Sequence, residues 1–293
     1  MLRRRRTLWF ALLGLTLLLL PSSYRPAAWG ARPSAQAPPF TILLSNDDGY
    51  VAPGLRAMIE AFRGAGELHV AAPATEQSGK GHSITTRDPI LVHEQKQPDG
   101  VTWHAVEAPP ATCVRLAIDA LLPRRPHLVI SGINRGENLG VVVYYSGTLG
   151  GAREAAFSRI PAIAVSMQGN DAKGYAATAS FLRDLVEQLR ARQALQPGFF
   201  LNVNAPAGEP KGVRVTRLSL QENQQLFERR TSPRGQLYFW SSYRPLADDE
   251  EGTDVWAFVR GYITLTPMDL DVTSYQAMET LRAFEREAVP VKK

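Results

Sequence analysis

The sequence predicts an α/β fold: a mainly parallel sheet with helices on both faces, followed by a β-rich C-terminal part. Three observations carry this. From residue 41 to about residue 205, short apolar or β-branched runs alternate with helical runs, the pattern of βαβ units. After Pro206, strand-like runs follow one another without long helices between them. The first apolar run, Ile42-Leu43-Leu44-Ser45, stops at Asn46-Asp47-Asp48-Gly49. That puts two carboxylates outside the carboxyl end of a strand, where open α/β sheets bind ligands.

Taken in order, residues 42–45 suit a buried parallel strand, since four consecutive β-compatible residues leave no polar face. Pro53-Gly54-Leu55 opens a helix to about Phe62, with proline in the first turn, where its missing N–H does no harm. Residues 68–72 and 101–106 read as strands, 112–122 as a helix, and 128–133 as a strongly β-branched strand ending at Asn134. Residues 147–158 read as a helix and 163–166 as a strand after Pro161. The long helix expected at 176–193 sets Leu182, Leu185, Val186 and Leu189 on one face, and 199–203 is a further strand. Beyond Pro206, residues 213–218, 236–240 and 256–266 read as strands, Asp248-Asp249-Glu250-Glu251-Gly252 as an acidic solvated loop, and residues from Thr273 onward as helix. The organisation expected is a leader or anchor at 1–37, a catalytic core at 38–206, and a β-rich extension at 207–293 of a kind that often serves oligomerisation.

The leader reading rests on Arg3 to Arg6, followed by an apolar run from Leu8 to Leu20 broken only by Gly14 and Thr16, then Pro- and Ala-rich sequence to Pro39. This is the layout of a secretory signal, and Ala28-Trp29-Gly30 offers a cleavage point before Ala31. The run is shorter than the ~20 residues of a spanning helix. Export is therefore expected, to a periplasm or held at a membrane through this segment only; the alternative is a cytoplasmic protein with a start codon placed too far upstream. Residues 1–37 hold six arginines and no acid, so the net charge of +5 becomes −1 without them (+5 less 6). The basic balance belongs to the leader, which argues against a nucleic-acid polymer as partner. Cys113 is the only cysteine, so no internal disulfide can form. It lies in a helical run and reads as a buried thiol.

Two adjacent aspartates repel unless a cation or basic group holds them, and carboxylate oxygens suit a hard divalent metal. Three more loops carry unusual polar residues: Thr75-Glu76-Gln77-Ser78-Gly79-Lys80-Gly81-His82-Ser83, Asn134-Arg135-Gly136-Glu137-Asn138-Leu139-Gly140, and Tyr145-Ser146-Gly147-Thr148. Alone, each has a plain structural explanation: Ser146 as a helix cap, Asn134 as a turn residue, His82 as a solvated histidine. In a parallel sheet all four loops emerge on one edge, and free N–H groups at the helix start after Ser146 suit a phosphate.

With these motifs the chain resembles the SurE family, metal-dependent 5′/3′-nucleotidases also called stationary-phase survival proteins. The resemblance runs in collinear order over about residues 41–280. It includes the four loops, Leu201-Asn202-Val203-Asn204-Ala205-Pro206, Lys211-Gly212-Val213-Arg214, and Gly261-Tyr262-Ile263-Thr264-Leu265-Thr266-Pro267. It implies a Rossmann-like core and an extension that mediates dimers or tetramers. It implies one divalent cation (Mg, Mn or Ca) per subunit on Asp47, Asp48, Ser78 and Asn134, with the two aspartates as the catalytic pair. It also implies phosphate contacts at Asn138, Ser146, Gly147 and Thr148, with Asn46 and Gly79 as further substrate-binding candidates. The substrates implied are nucleoside monophosphates. The alternatives are a catalytically silent metal- or nucleotide-binding homologue and a broad acid phosphatase or exopolyphosphatase. The chain departs from the family in having Val141-Val142-Val143 where acids are common, Ala108-Pro109-Pro110-Ala111-Thr112-Cys113 without the usual Gly and Asp, and Asp269 where His is common. A receiver-type signalling domain is set aside: it calls for a lysine at a later strand end, and those ends carry Asn134 and Ser166.

Overall fold

This computed structural model describes residues 39–96, 101–221, 225–244 and 247–285. The core elements are β1 (Thr41–Ser45), α1 (Pro53–Phe62), β2 (Glu67–Pro73), β3 (Val92–Lys96), β4 (Thr102–Val106), α2 (Pro110–Leu116), β5 (Leu128–Arg135), α3 (Gly147–Phe157), β6 (Ala162–Met167), α4 (Ala172–Ala191) and β7 (Phe200–Ala205). Then come β8 (Val213–Val215), β9 (Gln225–Thr231), β10 (Leu237–Tyr243), α5 (Asp254–Val259), β11 (Ile263–Pro267) and α6 (Tyr275–Leu281).

Nine strands form one sheet in the order β3-β4-β2-β1-β5-β6-β7-β11-β8, and β9 with β10 makes a separate antiparallel hairpin. The middle of the sheet is parallel: Leu44 lies beside Val70 on one side and Ile130 on the other. The edges are not, since β3 runs antiparallel to β4 and β11 antiparallel to β7, with β8 parallel to β11.

The pleat of β1 divides its side chains between two cores. Ile42 and Leu44 pack with Leu55, Met58, Ile59 and Phe62 of α1 and with Leu182 and Val186 of α4. Leu43 packs on the other face with Val114 of α2 and Leu149, Ala152 and Ala156 of α3. Each such fully buried side chain is worth roughly 1.5–3 kcal/mol relative to exposure. Helices therefore cover both faces, which is why the middle strands read as unbroken apolar runs.

Some boundaries differ from the sequence reading. Residues 256–266 are not one strand: their first part is α5, capped by Thr253, whose Oγ1 accepts from Trp256 N–H at 3.2 Å. Val255 and Phe258 of this helix pack on Leu139, so one apolar face, not two, is buried. α4 begins at Ala172 because Asp171 Oδ1 accepts from Gly174 N–H at 2.8 Å, fixing the first turn earlier than periodicity alone suggested. β3 and β9 carry mostly exposed side chains and gave no alternating apolar signal.

The expected leader, 1–37, lies outside the described residues. The expectation of export is corrected: among the described residues no helix is long and apolar enough to cross a membrane, and the signal peptide and membrane contact placed on 1–37 find no support there.

α1 lies hard against the end of β5. A Cβ on Gly54 would stand 2.1 Å from the Ile133 carbonyl oxygen and 3.1 Å from the Tyr175 ring. Gly54→Ala is expected to destabilise the protein by about 1–3 kcal/mol through overpacking. Thermal unfolding should show a drop of about 3–10 °C; an unchanged midpoint would mean that α1 is free to move off β5.

Candidate active site

The sheet order turns back at β1. The chain runs outward from β1 to β2 and β4, then returns to place β5 on the other side of β1. A crevice opens at such a switch point, outside the carboxyl ends of the two strands. Asp47 and Asp48 follow β1, and Asn134 sits near the end of β5. Asp48 Oδ2 accepts from Arg135 N–H at 3.1 Å, which ties the two strand ends together. Asn134 donates its amide to Gly136 O at 2.8 Å, a bond that does not use its side-chain oxygen.

Helix α3 enters the crevice with its N-terminus. Ser146 caps it, its Oγ accepting from Leu149 N–H at 3.2 Å. Thr148 Oγ1 donates to Asp47 Oδ1 at 2.5 Å. Gly147 lies so close that an added Cβ would stand 2.9 Å from both Asp47 Cβ and Asp47 Oδ2. The second loop joins through its backbone: Gln77 N–H donates to Asp47 O at 2.8 Å and Ser78 N–H to Glu76 Oε1 at 2.9 Å. Ser78 and Gly79 are exposed at the rim.

Asp47, Gly147 and Thr148 are thus in direct contact, and Asp48 reaches the neighbour of Asn134. Two other candidates are engaged elsewhere. Asn46 is fully buried and donates its amide to Gly49 O at 2.9 Å, holding the turn that presents the aspartates. Asn138 donates its amide to Ser166 Oγ at 2.8 Å, and its backbone carbonyl accepts from the Asn202 and Asn204 amides at 2.9 and 3.1 Å. One hydrogen of the Asn138 amide remains for another acceptor.

Burial dominates the electrostatics. Asp47 is 3% exposed, and burial pushes its carboxyl up to about 6; hydrogen bonds from the Thr148 hydroxyl and backbone N–H oppose the shift, and Asp48 adds to it. Asp48 is likewise raised by burial, against the Arg135 backbone bond and guanidinium charge, with Glu76 adding repulsion. Among the described residues no group of three or more His, Cys, Asp and Glu side chains could hold a metal. A cation here must draw on neutral oxygens beside the two aspartates. A cavity of about 350 Å³ adjoins Asp48, lined by Val51, Pro53, Glu76, Arg135, Asn170 and Tyr175. A larger cavity of about 540 Å³, around Phe40, His127 and Arg159, sits at the opposite ends of the strands, away from the carboxylates.

One supporting residue escaped the sequence reading. Asp254 is fully buried and accepts N–H bonds from Gly140 at 2.9 Å, Ser219 at 2.8 Å and Val255 at 2.9 Å. It anchors the loop that carries Asn138. Burial raises its carboxyl, with those three N–H bonds opposing. The available signal was Thr253-Asp254 ahead of Val255 and Phe258, a cap with an acid in the first turn.

Comparison with known proteins agrees with this geometry. A family model described as Survival protein SurE matches residues 42–225. The chain is 42% identical over 251 residues to the 5′-nucleotidase SurE of Pelotomaculum thermopropionicum, spanning 84% of this chain and 96% of that relative. It is 40% identical over 252 residues to the 5′-nucleotidase SurE 1 of Thermus thermophilus, spanning 85% and 99%. The crystal structure of the SurE protein from Aquifex aeolicus is similar at a TM-score of 0.73 and 35% identity, over 84% of this chain and 100% of that one. These relatives are matched nearly end to end. A family match over more than half of the chain, with relatives at 40% identity or more across most of it, establishes that this chain belongs to the SurE family.

Proposed function

We propose that this protein is a metal-dependent phosphomonoesterase that hydrolyses nucleoside monophosphates, a 5′/3′-nucleotidase. The observation that carries the reading is the contact of α3 with Asp47, at 2.5 Å from the Thr148 hydroxyl. It sets a helix N-terminus, which favours phosphate, against paired carboxylates, which favour a cation. The relatives named 5′-nucleotidase support the same activity.

The donor set fits a divalent cation. Two carboxylates are held above their ordinary range beside one another, a cost that a bound cation removes. Buried polar atoms without a hydrogen-bond partner gather at the same strand ends: Ser45 Oγ, Asn46 Oδ1 and Ser131 Oγ. Asp47, Asp48, Ser78 Oγ and Asn134 Oδ1 would hold the ion, and all are oxygens, which suits Mg, Mn or Ca. When bound, it supplies charge neutralisation and polarisation of a phosphoryl oxygen.

The chain's own groups do the rest. The Thr148 hydroxyl and backbone N–H fix the Asp47 carboxylate, which would be one of the groups holding the cation. The Gly147 N–H at the start of α3, with the Ser146 hydroxyl and the remaining Asn138 hydrogen, would donate to the non-bridging oxygens as charge shifts onto them. The cavity beside Asp48 is the space left for the nucleoside. A homodimer or homotetramer is the assembly this reading expects, supported by Phe227, Phe239 and Trp240 standing exposed on the β9–β10 hairpin.

A silent homologue is the second reading, motivated by Val141-Val142-Val143. Val143 is fully buried in the core beneath α3, so one of the three valines has a packing reason unrelated to chemistry.

Hydrolysis of nucleoside monophosphates should stop with EDTA and return with Mn or Mg. Asp47→Asn should lower turnover by about 100-fold or more with metal supplied. Near-native turnover in that variant would defeat the assignment, and no turnover in the native protein with any of Mg, Mn or Ca would favour the silent homologue. Stability supplies an independent check on metal-free protein. An acid with a folded pKa of about 6 and an ordinary value of 3.8 holds its proton more tightly when folded. The penalty is absent below 3.8, grows as pH rises, and is complete above about 6, where it amounts to roughly 3 kcal/mol. Metal-free Asp47→Asn should therefore melt higher than the native protein at pH 7 and gain little at pH 4. An equal gain at both would remove the titration of Asp47 as its cause.

A further inference from the structure

Glu154 is a buried carboxylate that the chemistry above does not use. It lies on α3, 1% exposed, seven residues beyond Gly147 and so about 10 Å along the helix from the phosphate end. Its two oxygens serve different elements. Oε2 meets His82 Nε2 at 2.7 Å, from the loop that carries Ser78. Oε1 accepts from Arg115 Nε at 2.6 Å, from α2. Burial pushes this carboxyl up, but the bonds from His82 and Arg115 prevail and hold it below its ordinary range. The His82 ring stacks on Phe157, one turn further along α3, at 5.4 Å and 16°.

Two backbone contacts hold the same loop to the same helix. A Cβ on Gly150 would stand 2.1 Å from the Gly81 carbonyl oxygen, and Gly81 N–H donates to Tyr145 O at 2.9 Å. The loop is thus pinned to α3 just after Gly79, while Gln77 is pinned to Asp47 just before Ser78. Ser78 and Gly79 bridge these two anchors.

We propose that His82 and Glu154 are positioning residues: their bond, with the Gly81–Gly150 contact, sets the Ser78 loop in register with the helix that faces Asp47, so that Ser78 can join the aspartates around a divalent cation. This rests on the metal-site reading of Asp47, Asp48 and Ser78. Neither residue touches the reacting atoms. Arg115 meets the same carboxylate from the other side, so its loss weakens the packing of α2 on α3 without releasing the loop.

The test is Mn affinity by calorimetry on metal-free full-length protein, with thermal unfolding alongside. His82→Ala should weaken Mn binding about 10-fold or more, the size of effect known for groups that orient metal ligands. His82→Gln, whose Nε2 can still reach Glu154, should recover most of it; His82→Asn, too short, should not. Arg115→Ala should lower the melting temperature and leave Mn affinity within about twofold. Should His82→Ala not fold, the Gln and Asn variants decide the matter by the same contrast. The proposal is overturned if His82→Ala and His82→Asn bind Mn as the native protein does, or if Arg115→Ala weakens binding as much as they do. Native binding together with equal binding by Asp47→Asn would instead strike at the metal site itself.

Discussion

Two neighbouring aspartates at the mouth of a sheet repel each other, and burial strengthens that repulsion by removing water. In this protein they are steadied mainly by neutral donors: the Thr148 hydroxyl on Asp47 and the Arg135 backbone N–H on Asp48. Full neutralisation by a protein cation would leave no electrostatic demand for a metal. Partial satisfaction leaves a site that favours one. The geometry depends on Gly147, since any side chain there would collide with Asp47.

Around this contact the protein is held by buried polar groups as well as by apolar packing. Asn138, Ser166, Asn202 and Asn204 bond to one another in the interior, and Asp254 closes the loop above them with three N–H bonds. A buried carboxylate satisfied by three backbone donors is directional, and it fixes where Gly140 lies in a way that apolar contact cannot. The loops of the site therefore lean on the β-rich part of the chain as well as on the sheet.

Much of this was readable from local pattern. The run ending at Asp47 and Asp48, the proline that opens α1 and the β-branched β5 are signals carried within a few residues. The convergence of four loops followed from the sheet being parallel, and the motifs in them were specific enough to suggest the family. What stayed hidden is what distance in sequence conceals. The Thr148–Asp47 bond spans 101 positions and the Asp254–Gly140 bond 114. Trp256-Ala257-Phe258-Val259 reads as strand from composition, but the Thr253 cap and packing of Val255 and Phe258 on Leu139 go with a helix. Asn138 looked free in sequence, yet Ser166 engages it. The leader differs: its charge and apolar run satisfy a targeting pattern, and residues 1–37 lie outside the described residues.

The place of β11 in the sheet has a consequence for how the chain is made. β8 emerges from the ribosome first, but its pairing in the sheet is with β11, which is synthesised about fifty residues later and inserts between β7 and β8. Gly140 and Ser219 likewise wait for Asp254 to accept their N–H groups. The loop opposite the aspartates is therefore fastened by a residue 114 positions further along the chain.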